Sequence, residues 1–144
     1  MHRIAVAVAA LVVCLGPAAQ AQSQWADQVS GYLATRAKYY TDHGYDRTHE
    51  PHIGSLGDKD RESFNITLHA GTSYAIVAVC DNDCNDIDLK LFDANDNLVT
   101  SDVETDDYPL LKVDVSQTQQ YRIQVIMASC KTNPCWYGIG AYGK

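Results

Sequence analysis

From Ser63 onward the side chains change character at every second position, and this period constrains the chain more than any other feature. Phe64, Ile66 and Leu68 alternate with polar neighbours, and so do Ile87, Leu89 and Leu91. The same pattern returns at Leu111, Val113 and Val115, at Tyr121, Ile123, Val125 and Met127, and at Tyr137, Ile139 and Ala141. Alternation of this kind puts an apolar row on one face of a strand and a polar row on the other. Tyr74 to Val79 is a continuous apolar run suited to a buried strand. His69 to Thr72 and Asp93 to Asn97 are turn formers, and Leu98 to Thr100 begins a return strand. About seven short strands separated by Asp, Asn and Gly turns predict a mainly β chain folded as an antiparallel sandwich.

The preceding segment has a different period. Trp25, Val29, Tyr32, Leu33, Ala37 and Tyr40 share one face of a helix, so residues 22–44 are expected as one amphipathic N-terminal helix stopping near Gly44. Gly54 and Gly57 with Pro51 then interrupt any period, and 45–62 reads as a polar loop before the sandwich domain at 63–144.

Residues 1–21 have the form of an export signal. A basic start at Arg3 is followed by an apolar run, Ile4 to Leu15, too short to span a bilayer, and then by the small-residue pattern Ala19-Gln20-Ala21. Cys14 follows the bulky Leu11-Val12-Val13, which argues against a lipidation site. The expected product is periplasmic or secreted, with no membrane insertion. Loss of Arg3 takes the net charge from −7 to −8, the wrong sign for a phosphate backbone, which excludes nucleic acid as a natural partner.

Export also bears on the four cysteines of the remaining chain. They form two close pairs, Cys80 with Cys84 and Cys130 with Cys135, each bracketing a polar turn. An even number in an oxidising compartment argues for two disulfides. Three connectivities are open to four cysteines; chain reversal brings each local pair within bridging reach and favours those two. A four-thiolate zinc site competes, although structural zinc usually has tighter spacings.

Ala70-Gly71-Thr72-Ser73-Tyr74, then Asp86-Ile87-Asp88-Leu89-Lys90-Leu91-Phe92-Asp93, a polar turn with Leu98-Val99, and Gln120-Tyr121-Arg122-Ile123-Gln124-Val125 follow one another in order. This series resembles the bacterial pre-peptidase C-terminal domain over roughly residues 60 to 142. The resemblance implies a jelly-roll-like sandwich of about seven to eight strands. It also implies an accessory or binding role, with calcium or matrix binding in some relatives.

Ten carboxylates lie between Asp81 and Asp107, against the single base Lys90. Such crowding is relieved by a hard cation held by oxygens, or is simply a solvated acidic rim. Asp81, Asp83, Asp86 and Asp88 are the calcium candidates, since a closed Cys80–Cys84 turn would hold the first two near the next strand. Asp93-Ala94-Asn95-Asp96-Asn97 with Glu104 imitates part of an EF-hand loop, but Leu98 stands where that loop needs glycine. His43, His49 and His52 share a segment with acidic residues, at a spacing matching no common metal motif. No nucleophile elbow or similar catalytic pattern is present. The sequence thus predicts a non-enzymatic exported module whose acidic loop region binds a cation, with calcium the candidate, or a protein or glycan ligand. The alternative is a periplasmic inhibitor or immunity-type protein presenting the disulfide-closed loop Lys131, Thr132, Asn133 and Pro134, whose rigidity would lower the ordering cost of binding.

Overall fold

The computed structural model describes residues 17–144, with side chains from Gln24 onward. The expected export signal and Cys14 therefore lie wholly or largely outside the described residues. Helix α1 (Pro17–Asp42) is followed by β1 (Asp46–Arg47), β2 (His52–Leu56), β3 (Arg61–Leu68), β4 (Ser73–Cys80) and β5 (Cys84–Phe92). Then come β6 (Leu98–Asp102), β7 (Leu110–Asp114), β8 (Gln119–Cys130) and β9 (Cys135–Gly143). All strand pairings are antiparallel.

Two sheets stack. In the first, β9 pairs with β4 and β4 with β7, while β1 and β2 lie one after the other along the free side of β9. The second runs β3-β8-β5-β6. Between them the expected apolar rows meet: Tyr74, Ile76, Ala78, Tyr137, Ile139 and Ala141 from the first sheet face Ile87, Leu89, Leu91, Ile123, Val125 and Met127 from the second.

Helix α1 covers the outer face of the first sheet, which explains why β4 has no polar row. Ala75, Val77 and Val79 point away from the sandwich core and are buried under Val29, Leu33 and Tyr40 of the helix. Close approach requires glycine on β9. A Cβ on Gly138 would lie 2.6 Å from Leu33 Cδ1 and 2.7 Å from Val29 Cγ1, so the helix rests directly on the backbone there. Gly44, at φ 79°, adopts the left-handed conformation that ends a helix, and Tyr45 N donates back to Tyr40 O.

The stretch 45–62 is not one polar loop, because β1 and β2 lie within it. Hydrogen bonding to the exposed edge of β9 holds these strands, and a polar segment with an internal glycine meets that requirement without any alternating pattern. This edge raises the strand count among the described residues to nine, above the seven or eight expected.

Candidate functional site

Every connection that crosses from one sheet to the other at the Cys80 end of the sandwich is short or tied down. The β2–β3 turn (57–60), the β4–β5 turn (81–83), the β6–β7 loop (103–109) and the β8–β9 turn (131–134) all emerge there. Cys80 is bonded to Cys84 and Cys130 to Cys135, with Cα separations of 5.9 and 5.8 Å. Because β4 and β9 belong to the first sheet and β5 and β8 to the second, each disulfide staples the two sheets together. Cys84 lies opposite Cys130 in the ladder, so the staples stand side by side.

Hydrogen bonds between residues distant in sequence join the turns to one another. Cys130 N donates to Asp58 Oδ1 at 2.8 Å, Asp58 N donates to Asn133 Oδ1 at 2.7 Å, and Lys131 N donates to Asp83 O at 2.7 Å. The helix joins the same cluster, since Tyr32 Oη donates to Asn82 Oδ1 and Asn82 N donates to Gln28 Oε1. Lys131, Thr132, Asn133 and Pro134 are all exposed on this braced platform. The sequence offered no local signal for the Asp58 and Asn133 contacts, which join residues about seventy positions apart.

The four calcium candidates have different surroundings. Asp81 is only 2% exposed, and its carboxylate is already occupied: Oδ2 accepts from Trp136 N at 2.7 Å and Oδ1 from Asp83 N at 3.1 Å. Burial raises its pKa above the usual carboxylate value, and the hydrogen bond from Trp136 opposes the shift. Asp81 is thus a strut between β4 and β9. Asp86 and Asp88 lie on the outer row of β5, where its pairing with β8 is irregular. Asp86 Oδ1 is buried without a partner among the described residues. Asp88 has its pKa raised, first by burial and then by the charge of Asp86, with Asp102 and Asp106 adding to it. Among the described residues no three His, Cys, Asp or Glu side chains converge to hold a metal ion.

The other suggestive patterns separate in three dimensions. Asp93 Oδ1 accepts from Asn95 N and Asn97 N, making an ordinary turn between β5 and β6 rather than an EF-hand, and the Asn97 side chain heads the contacts that lower its pKa. The three histidines have separate partners. His43 Nδ1 contacts Tyr39 O, His49 Nε2 contacts Thr67 O, and His52 Nε2 lies 3.2 Å from both Glu62 Oε1 and Tyr137 Oη. Gly54 leaves the room for this last group, since a Cβ there would sit 2.9 Å from Tyr137 Oη. Among the described residues no helix is long and apolar enough to cross a membrane.

No family model and no curated protein matches the sequence. Solved structures match the fold. The pre-peptidase C-terminal domain of collagenase from Bacillus anthracis superposes with a TM-score of 0.51 at 11% identity, covering 66% of this chain and 88% of that domain. The sandwich is similar in fold to a pre-peptidase C-terminal domain. Aeromonas hydrophila PliG, a periplasmic lysozyme inhibitor of g-type lysozyme, superposes with a TM-score of 0.50 at 11% identity, covering 66% of this chain and 85% of that one. Within this pre-peptidase-C-terminal-like fold, the Asp86 to Asp93 and Gln120 to Val125 motifs are the paired central strands β5 and β8 of the second sheet.

Proposed function

We propose that this chain is an exported, non-catalytic binding module of the inhibitor type, which engages a protein through the braced end of its sandwich. The observation that carries the reading is the exposed Lys131–Pro134 turn, held at both ends by a disulfide and from the sides by Asp58 and Asp83. A surface turn ordered before binding loses little entropy when a partner seats on it. The likeness in fold to a periplasmic lysozyme inhibitor supports export and a protein partner. Two disulfides agree with an oxidising compartment. Cleavage before Gln22 would leave the helix contacts of Val29, Leu33 and Tyr40 intact. The interleaved orders β2-β9-β4-β7 and β3-β8-β5-β6 support a jelly-roll-like sandwich.

The test is inhibition of a g-type lysozyme and of other peptidoglycan-cleaving hydrolases, followed by clearing of a cell-wall suspension. Wild-type protein is expected to slow clearing by one of them. The double variant Lys131→Glu, Thr132→Arg is expected to weaken inhibition by about tenfold or more at unchanged melting temperature, as for the loss of a central interface contact. Absence of inhibition, with binding to a glycan array instead, would transfer the module to the glycan-binding class.

Calcium is the second reading, now resting on Asp83, Asp86 and Asp88 without Asp81. The partnerless oxygen of Asp86 and the crowding around Asp88 favour it. A cation bound only to the folded chain raises stability by about 2.7 kcal/mol at 100 times its dissociation constant. Millimolar calcium should therefore raise the melting temperature beyond the effect of sodium chloride at equal ionic strength. An equal shift would leave these carboxylates as a screened, solvated face.

A further inference from the structure

A cleft of about 150 Å³ opens between helix α1 and the β1–β2 edge. Leu33, Ala34 and Ala37 form its helical wall, and Pro51 and Ile53 form the opposite one. Three polar residues interrupt this apolar lining: Ser30, whose hydroxyl donates to Ala26 O, and Arg47 and Tyr142.

Tyr142 reaches the cleft because of a glycine. Its ring lies along β9 over Gly140, where a Cβ would stand 2.7 Å from the phenolic oxygen, and stacks on Tyr40 at 4.8 Å between centroids. The residue is 2% exposed, and its hydroxyl has no hydrogen-bond partner among the described residues. It is nevertheless not a sealed orphan; that condition is met only by Asp86 Oδ1 among the described side chains. Tyr142 lines the cleft, and its hydroxyl, over Gly140, is a donor at the cleft's wall. Arg47 is similarly uncommitted. Among the described residues its one ionic contact is Glu50 Oε1 at 3.6 Å, with the Glu50 side chain 89% exposed, a geometry that contributes little to stability and is easily exchanged.

We propose that this cleft binds a small amphipathic carboxylate, with an aromatic or branched aliphatic group between α1 and β2 and its anionic end on Arg47 and the Tyr142 hydroxyl. The size fits, since an apolar cavity of about 150 Å³ accommodates a benzene-sized group. The polar end fits as well. Guanidinium and phenol are both donors, so together they select an anion with paired oxygens over a neutral or cationic head. A free small acid and the C-terminal residue of a peptide share this chemistry.

Titration calorimetry on the purified full chain decides the matter, with benzoate as the probe and benzyl alcohol as its uncharged counterpart. Benzoate is expected to bind with a dissociation constant of about 0.1–1 mM, in line with the affinity open to so small a ligand, and benzyl alcohol about tenfold more weakly. Arg47→Gln should weaken benzoate about tenfold or more and leave benzyl alcohol unchanged, because only the charge-assisted contact is lost. Tyr142→Phe should weaken benzoate severalfold. Ala34→Leu, with its fold checked by circular dichroism, should fill the cleft and remove both. Comparing benzoate with a short peptide ending in phenylalanine distinguishes the two sources. Equal binding of benzoate and benzyl alcohol, benzoate affinity unaffected by Arg47→Gln, or no benzoate binding up to 10 mM would each overturn the proposal. None of these results depends on the loop variants that test the inhibitor reading.

Discussion

β4 and β5 follow one another in the chain, have nearly equal length and are stapled by the Cys80–Cys84 disulfide, yet they occupy different environments. β4 is covered on both faces, by the second sheet on one side and by α1 on the other, and from Tyr74 to Cys80 every residue is buried. β5 is covered on one face only. Ile87, Leu89 and Leu91 are fully buried, while Asp86, Asp88 and Lys90 remain partly exposed between them. The number of covering layers thus decides whether a strand reads as continuous or alternating. The open face of β5 is where the acidic residues accumulate, and the closed face of β4 is where the helix packs.

The strongest way to break this contrast is to truncate neighbouring residues on each strand and measure stability by chemical denaturation. On β5, Leu89→Ala is expected to cost about 2–5 kcal/mol and Lys90→Ala no more than about 0.5 kcal/mol. On β4 both neighbours should matter, with Ile76→Ala costing about 2–5 kcal/mol and Val77→Ala about 1–3 kcal/mol. A Val77→Ala effect as small as that of Lys90→Ala would mean that α1 does not seal the outer face.

The helix contact itself gives a smaller effect. Gly138→Ala pushes a methyl group against Leu33 and Val29 and should cost about 1–3 kcal/mol through overpacking. Part of that cost should disappear when the same change is made in a Leu33→Ala background, where the Leu33 contact is gone and that with Val29 remains. Additive losses in the double-mutant cycle would argue against the close approach.

The smallest effect concerns the open face of β5. Asp88 has its pKa raised by burial and by neighbouring carboxylates, so the folded chain holds this proton more tightly than the unfolded chain. Its contribution is fully present below about pH 4, the range of a free aspartate, and is lost as pH rises through the raised value. Asp88→Asn should therefore be more stable than wild type at neutral pH, and the difference should narrow on acidification. Asp93 supplies the opposite sign. Its lowered pKa gives stability that is present above about pH 4 and lost as pH falls, so Asp93→Asn should be destabilising at neutral pH. Melting curves at several pH values for the two variants check both directions.

Much of the fold was legible in the order of residues, and the reason is local. An apolar residue at every second position has one arrangement that buries it, so β3, β5, β7, β8 and β9 and the core rows of Leu89 and Ile123 could be read directly, while β4 showed as a continuous apolar run and β6 only as a return after a turn. The helix showed itself in the same way through Val29, Leu33 and Tyr40. The disulfide partners were favoured by chain reversal within a few residues. β1 and β2 escaped because an edge strand is recruited by the hydrogen-bonding groups of its neighbour, whatever its own pattern.

The candidate sites depended on tertiary structure. Asp81 and Asp83 are two positions apart and looked equivalent, but the fold directs Asp81 inward onto Trp136 N and leaves Asp83 at the turn. Asp58 meets Asn133 only because two inter-sheet connections emerge at the same end, and Arg47 meets Tyr142 only because β1 pairs with the last residues of β9. The sequence by itself determined the periodicities, the turns and the short-range bonds, since these are settled by neighbours along the chain. Which carboxylates were consumed as struts, which turn was left rigid and exposed, and where a cleft opened beneath the helix were decided by contacts between residues distant in sequence. Those contacts exist only once the two sheets and the helix have packed.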